Sequence, residues 1–150
     1  MMRVEGQCHC GNIAFELLWP GNADDIPARA CDCTFCSKHG GVWTSHPDAK
    51  LSVRIQAAAD VSRYEFGTKT AQFHACRRCG VVPLVTCLRD GRMYAVVNVN
   101  AFVNVDPASL RRAPASFEGE DLETRLARRS RNWIADVQFT YRQEPPGSTR

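Results

Sequence analysis

The chain carries eight cysteines, and seven of them fall into three groups. Cys8 and Cys10 form C-x-C, Cys31, Cys33 and Cys36 form C-x-C-x-x-C, and Cys76 and Cys79 form C-x-x-C. Thiols at these spacings can chelate. In an extended segment residues i and i+2 face the same side, so Cys8 and Cys10 can act together while His9 points away. C-x-x-C followed by a residue without a Cβ wraps one edge of a metal. Gly80 follows Cys79, and Gly11 follows Cys10 in the same way. Zinc is the first candidate, because thiolates suit it and it needs no redox partner. An iron–sulfur centre is the lesser metal alternative. A thioredoxin-like dithiol fits poorly, since neither C-x-x-C sits in a βαβ pattern.

Counting the ligands is informative. The two pairs Cys8/Cys10 and Cys76/Cys79 supply four thiolates, enough for a closed structural zinc site. Cys31, Cys33 and Cys36 supply three, which leaves an exchangeable position, the pattern of a catalytic zinc. Spacing also allows Cys8 and Cys10 to join two of the trio. It leaves His39, His46 and His74 open as a fourth ligand to the trio, although any one of them singly reads better as a surface or satisfied core histidine. Cys87 stands alone in an apolar run and reads as a buried free thiol. Gly40, Gly41 and Trp43 follow the trio and are candidates to line a substrate pocket. Asn98 and Asn100 are weaker candidates for the same pocket.

The elements that must position these residues are mostly strands. Ile13, Phe15, Leu17 and Trp19 alternate onto one face, and Leu51, Val53 and Ile55 do so again. Val61 to Phe66 reads as a short strand, and Gln72 to Ala75 leads into Cys76. Val81 to Leu88 and Arg92 to Val99 are apolar, β-branched runs on either side of Asp90-Gly91, which predicts a hairpin. Asp106 before Pro107 predicts a capped turn. Glu120 to Arg131 predicts a short charged helix, and Trp133 to Tyr141 returns to strand character. The expectation is one mainly β domain over 1–143, with a frayed tail over 144–150.

Composition narrows the rest. At 150 residues, 44% hydrophobic and 23% charged, the chain is ordinary for a globular domain. Its net charge of +3 is too small to argue for a nucleic-acid or membrane partner. Arg111, Arg112, Arg125, Arg128, Arg129 and Arg131 are offset by Glu118, Glu120, Asp121 and Glu123, so this stretch reads as a solvated charged face. No apolar run follows Arg3, and no stretch approaches the roughly 18 apolar residues of a membrane span. The expected compartment is the cytoplasm, where clustered thiols stay reduced.

Three segments together resemble one family. Gly6-Gln7-Cys8-His9-Cys10-Gly11-Asn12-Ile13-Ala14-Phe15, Cys31-Asp32-Cys33-Thr34-Phe35-Cys36 and Cys76-Arg77-Arg78-Cys79-Gly80 are similar to the glutathione-dependent formaldehyde-activating enzyme and centromere protein V family. Tyr64-Glu65-Phe66-Gly67-Thr68 supports the match, which covers about residues 4–105 well. The chain departs from the family where Ser37 and Lys38 follow the trio in place of the usual Arg. The resemblance implies a zinc-stabilised β-tent of packed antiparallel sheets with few short helices. It implies a structural zinc on Cys8, Cys10, Cys76 and Cys79 and a second zinc on Cys31, Cys33 and Cys36, open to loss. It also implies a carbon–sulfur lyase that acts on the adduct of glutathione and formaldehyde. The alternatives are a binding module in which both zinc sites are structural, and a thiol sensor.

Overall fold

A computed structural model describes residues 1–142, so the expected tail over 144–150 lies outside the described residues. The strands are β1 (Met2–Gln7), β2 (Ile13–Trp19), β3 (Ala28–Cys31), β4 (Val42–Thr44), β5 (Lys50–Ile55), β6 (Val61–Tyr64), β7 (Ala71–Cys76), β8 (Leu84–Arg89), β9 (Arg92–Asn98), β10 (Arg112–Ala115) and β11 (Asp136–Tyr141). Two α-helices join them, α1 (Thr34–His39) and α2 (Leu122–Asn132). A four-stranded sheet runs β1-β2-β5-β11, and a seven-stranded sheet runs β10-β3-β4-β9-β8-β7-β6.

The mainly β class agrees with the sequence reading, but the sheets are mixed rather than antiparallel throughout. β11 pairs parallel to β5, and β10 pairs parallel to β3. Each of these pairs joins segments far apart in sequence, and parallel neighbours require such long crossovers.

Side-chain period explains the layers. Along β2 every second residue is buried, from Ile13 through Phe15 and Leu17 to Trp19, and β5 alternates in the same way. Those faces meet Leu84, Ala95 and Val97 of the seven-stranded sheet in one core cluster. The seven-stranded sheet is covered on its other face too. Val85, Cys87 and Val96 alternate with the first set and pack with Trp43, Phe73 and Trp133 in a second cluster. That is why β8 and the end of β9 read as unbroken apolar runs rather than as alternation.

The β8–β9 hairpin turns at Asp90 (φ 52°) and Gly91 (φ 77°), with Arg89 opposite Arg92. The left-handed pair matches the twist of its strands, as the Asp-Gly signal predicts. Asp106 caps its turn by accepting the Ala108 N–H at 3.0 Å. α2 begins at Asp121, whose carboxylate accepts the Thr124 N–H at 2.7 Å. It is tied to β8 by Arg89, which donates to Ser130 Oγ at 3.1 Å and to Glu123 at 2.7 Å.

Candidate metal centres and the adjoining cavity

The seven-stranded sheet separates the two cysteine groups. Side chains alternate along β7, so Ala71, Phe73 and Ala75 belong to the second cluster while Cys76 belongs to the core between the sheets. Cys8 and Cys79 join Cys76 on that inner side, whereas Cys31, Cys33 and Cys36 lie on the outer one.

The inner group is built from two matching turns. Cys8 donates its N–H to the Ile13 carbonyl at 2.8 Å, and Cys76 donates to the Val81 carbonyl at 3.0 Å. Gly11 N–H then closes on Cys8 O at 3.1 Å, and Gly80 N–H on Cys76 O at 2.8 Å. Gly11 and Gly80 hold φ of 85° and 81°, which a residue with a Cβ adopts only at a cost. The turns bring Cys8, Cys10, Cys76 and Cys79 together with all sulfurs within 4.8 Å of one another. Cys10 Sγ lies 3.8 Å from Cys8 Sγ and 3.5 Å from Cys76 Sγ. A tetrahedron with bonds of about 2.3 Å has sulfur–sulfur edges of about 3.8 Å, so the donor set fits zinc. The Ile13 N–H also points at Cys8 Sγ at 3.3 Å, a bond that suits a thiolate. Without a metal, burial pushes the Cys8 thiol up to about 12. Burial also raises Cys79, but the backbone N–H groups of Val81 and Cys10 with the Cys76 and Cys8 thiols outweigh it and bring it to about 6.

The outer group sits where β3 meets α1. Cys31 ends the strand, Cys33 is the N-cap of the helix, and Cys36 lies one turn in. The Cys36 N–H donates to Cys33 Sγ at 3.3 Å, so the cap and the chelate share one atom. Phe35 anchors the helix by stacking on Tyr64 at 5.2 Å and meeting Phe73 edge-on at 4.7 Å. The three sulfurs lie within 4.8 Å of one another, and no histidine or carboxylate among the described residues completes the group. Cys36 donates its thiol proton to Cys31, which lowers Cys31 to about 6 and raises Cys36.

A cavity of about 760 Å³ opens beside the trio, within the size range of small-molecule sites. Trp43, Phe66, Phe73 and Trp133 form its apolar walls, and Arg29, Arg125, Arg128 and Arg129 also border it.

The family model described as glutathione-dependent formaldehyde-activating enzyme matches residues 3–117, a span that holds all three cysteine groups. The chain belongs to that family. It is also similar to a protein from Rhodobacter sphaeroides of solved structure. The two are 30% identical, with a TM-score of 0.55, over 73% of this chain and 97% of the other. The formaldehyde-activating family match stops short of α2 and β11, so one wall of the cavity lies beyond it.

Within this family member the other sequence candidates separate clearly. Trp43 lines the cavity. Gly40 and Gly41 are not on its wall and act on the backbone instead. Gly40 caps α1 at φ 76°, and a Cβ on Gly41 would come within 2.6 Å of the Trp43 ring. His39 stacks on Phe35, His46 meets Trp19 edge-on, and buried His74 bonds Thr86 at 2.8 Å. Burial, with Arg63 nearby, holds His74 down to about 4. Asn98 accepts the Asn100 N–H at 3.1 Å and donates to Val82 O, and Asn100 donates to Gly40 O. Buried Cys87 receives Arg129 Nη1 at 3.5 Å.

The charged face of α2 differs from expectation. Leu122 is 46% exposed while Arg129 is 9% exposed, the reverse of the usual sorting. Arg125, Arg128, Arg129 and Asn132 recur at helical spacing and all border the cavity. A pattern scored only for apolar residues passes over this stripe. Its i, i+3, i+4, i+7 spacing is the signal that reveals it.

Proposed function

We propose that the chain is a zinc-dependent carbon–sulfur lyase-like enzyme that acts on a thiol–aldehyde adduct of the S-hydroxymethylglutathione type. The observation that carries this reading is a three-thiol group without a fourth protein donor among the described residues, opening onto a cavity large enough for a tripeptide. It favours catalysis over a purely structural second zinc, which takes four protein ligands. We assign Cys8, Cys10, Cys76 and Cys79 to a structural zinc and Cys31, Cys33 and Cys36 to the reactive one. The compartment that keeps these thiols reduced is the cytoplasm, and among the described residues no helix is long and apolar enough to cross a membrane.

A zinc ion held by the trio supplies Lewis acidity, which favours a thiolate or a polarised carbonyl near neutral pH. The protein's own groups do the rest. The apolar side chains of Trp43, Phe66, Phe73 and Trp133 line the cavity that the trio borders and offer an apolar bed for the substrate. Asp32 and Glu118 are the carboxylates on the cavity wall, and Asp32, which stands between two trio cysteines, is the one assigned to take the hydroxyl proton of the adduct. As that proton leaves, the carbon–oxygen double bond forms, the carbon–sulfur bond breaks, and its electron pair stays on sulfur. The reverse steps condense glutathione with formaldehyde.

The test is adduct exchange measured by NMR with formaldehyde, glutathione and protein loaded with two zinc ions. The exchange is expected to accelerate over buffer, and Cys33→Ser is expected to abolish the acceleration. Exchange at the buffer rate with both metals bound would remove the activity.

A further inference from the structure

Among the described residues, two of the four arginines around the cavity, Arg29 and Arg129, form no salt bridge. Arg129 is 9% exposed. Its Nη1 donates to Thr70 Oγ1 at 2.9 Å and to Cys87 Sγ at 3.5 Å, and its Nε has no partner. Its guanidinium lies 5.1 Å from the Trp133 ring centroid. Among the described residues half-buried Arg29 bonds the Ser45 hydroxyl, at 3.5 Å, and Ser45 donates to the carbonyl of Asn132 at the end of α2. Arg125 and Arg128 differ, because Glu120 pairs with both, at 3.3 and 3.0 Å. A buried guanidinium without an anion is unfavourable; Asp32 and Glu118 also border the cavity, but among the described residues neither is in an ion pair with Arg29 or Arg129. Arg129 also stands on α2, beyond the stretch that the family model matches.

We propose that Arg129 and Arg29 form a subsite for a carboxylate of the thiol substrate, holding the end remote from the sulfur. The proposal rests on the thiol–aldehyde reading above and narrows it to thiols that carry a carboxylate. The cysteine trio and the two arginines border the same cavity, so one elongated ligand can reach both. A guanidinium matches a carboxylate through paired N–H donors, and binding at the unreactive end positions the sulfur at the reacting end. The helix that supplies Arg129 thus sets which thiols the trio accepts.

Binding is tested by calorimetry on the zinc-loaded full chain with S-methylglutathione, its diester, and inorganic phosphate. The free acid is expected to bind about tenfold or more tightly than the diester. Arg29→Gln and Arg129→Met are each expected to erase that ratio while leaving diester binding unchanged. Arg29→Gln lies on a half-buried side chain, so it carries the test if Arg129→Met does not fold. Equal binding of acid and diester, an unchanged ratio in Arg29→Gln, or phosphate displacing the acid at equal affinity overturns the subsite. Adduct exchange separates the two ideas. Equal acceleration with 2-mercaptoethanol and glutathione overturns the subsite and spares the lyase. Acid-selective binding without any acceleration does the opposite.

Discussion

Cys10→Ser and Cys33→Ser should have opposite consequences, because the two cysteine groups close loops of very different length. Cys10 and Cys76 stand 66 residues apart and join the turn after β1 to the end of β7, so their metal ties one sheet to the other. The chain entropy removed by a cross-link of that span is worth about 4 kcal/mol. The trio spans six residues at one helix end. The difference in loop length alone favours the inner site by about 2 kcal/mol. The substitutions are otherwise mild. Cys10 is exposed, so serine there leaves no core cavity. Cys33 caps α1, and serine keeps the acceptor that the Cys36 N–H needs. In zinc-replete buffer, Cys10→Ser should therefore melt about 10 °C below the parent chain, as expected for about 4 kcal/mol in a domain of this size. Cys33→Ser should melt within a few degrees of the parent and lose adduct exchange. Circular dichroism melts, with zinc content per chain measured on the same samples, give both quantities. Equal losses of melting temperature, or a Cys10→Ser melt that matches the parent, would refute the division into a structural and a reactive site.

Two further outcomes test the packing around the cavity. Gly41→Ala should cost about 1–3 kcal/mol, since its methyl would press on the Trp43 ring at 2.6 Å, and Trp43 fluorescence should shift with it. Urea titration followed by fluorescence reads both effects, and an unchanged midpoint would count against the tight contact. Glu120 pairs with Arg128 and Arg125, and these bonds hold its carboxyl below the usual carboxylate range. Its contribution is present above the unfolded carboxylate pKa and is lost as pH falls through the lower folded value. The stability gap between the parent chain and Glu120→Gln should thus shrink on acidification below about pH 4.3. A gap that widens there would reverse the sign of the argument.

Legibility from sequence followed the physics of each element. β2 and β5 bury one face only, so their alternation is visible without coordinates. β1 was hidden because its buried positions are Val4 and Gly6, a single side chain of any size. β3, β4 and β10 are three or four residues long, too short to show a period. α1 is six residues long, with Cys33 as its cap and Cys36 inside it, too short to show a helical period. Spacing left the partition of the seven cysteines open, because it says nothing of which distant turns meet; the structure groups Cys8, Cys10, Cys76 and Cys79 apart from Cys31, Cys33 and Cys36. The parallel pairings of β10 and β11 depend on contacts far apart in the chain and leave no local mark. The arginines of α2 were the largest omission. A charged side chain is ordinarily assigned to solvent, and only the cavity shows that this face turns inward.

The placement of β11 has a bearing on how the molecule is made. The four-stranded sheet finishes with a segment paired to β5, 86 positions earlier, so it stays incomplete until residue 141 has left the ribosome. The pair Cys8/Cys10 emerges long before Cys76/Cys79. For that interval a growing polypeptide exposes reduced sulfur to the cell with only half of its clasp in hand. The four-sulfur group can therefore close only once Cys79 has been made, and until then the newborn chain leaves open what the finished sheets bury.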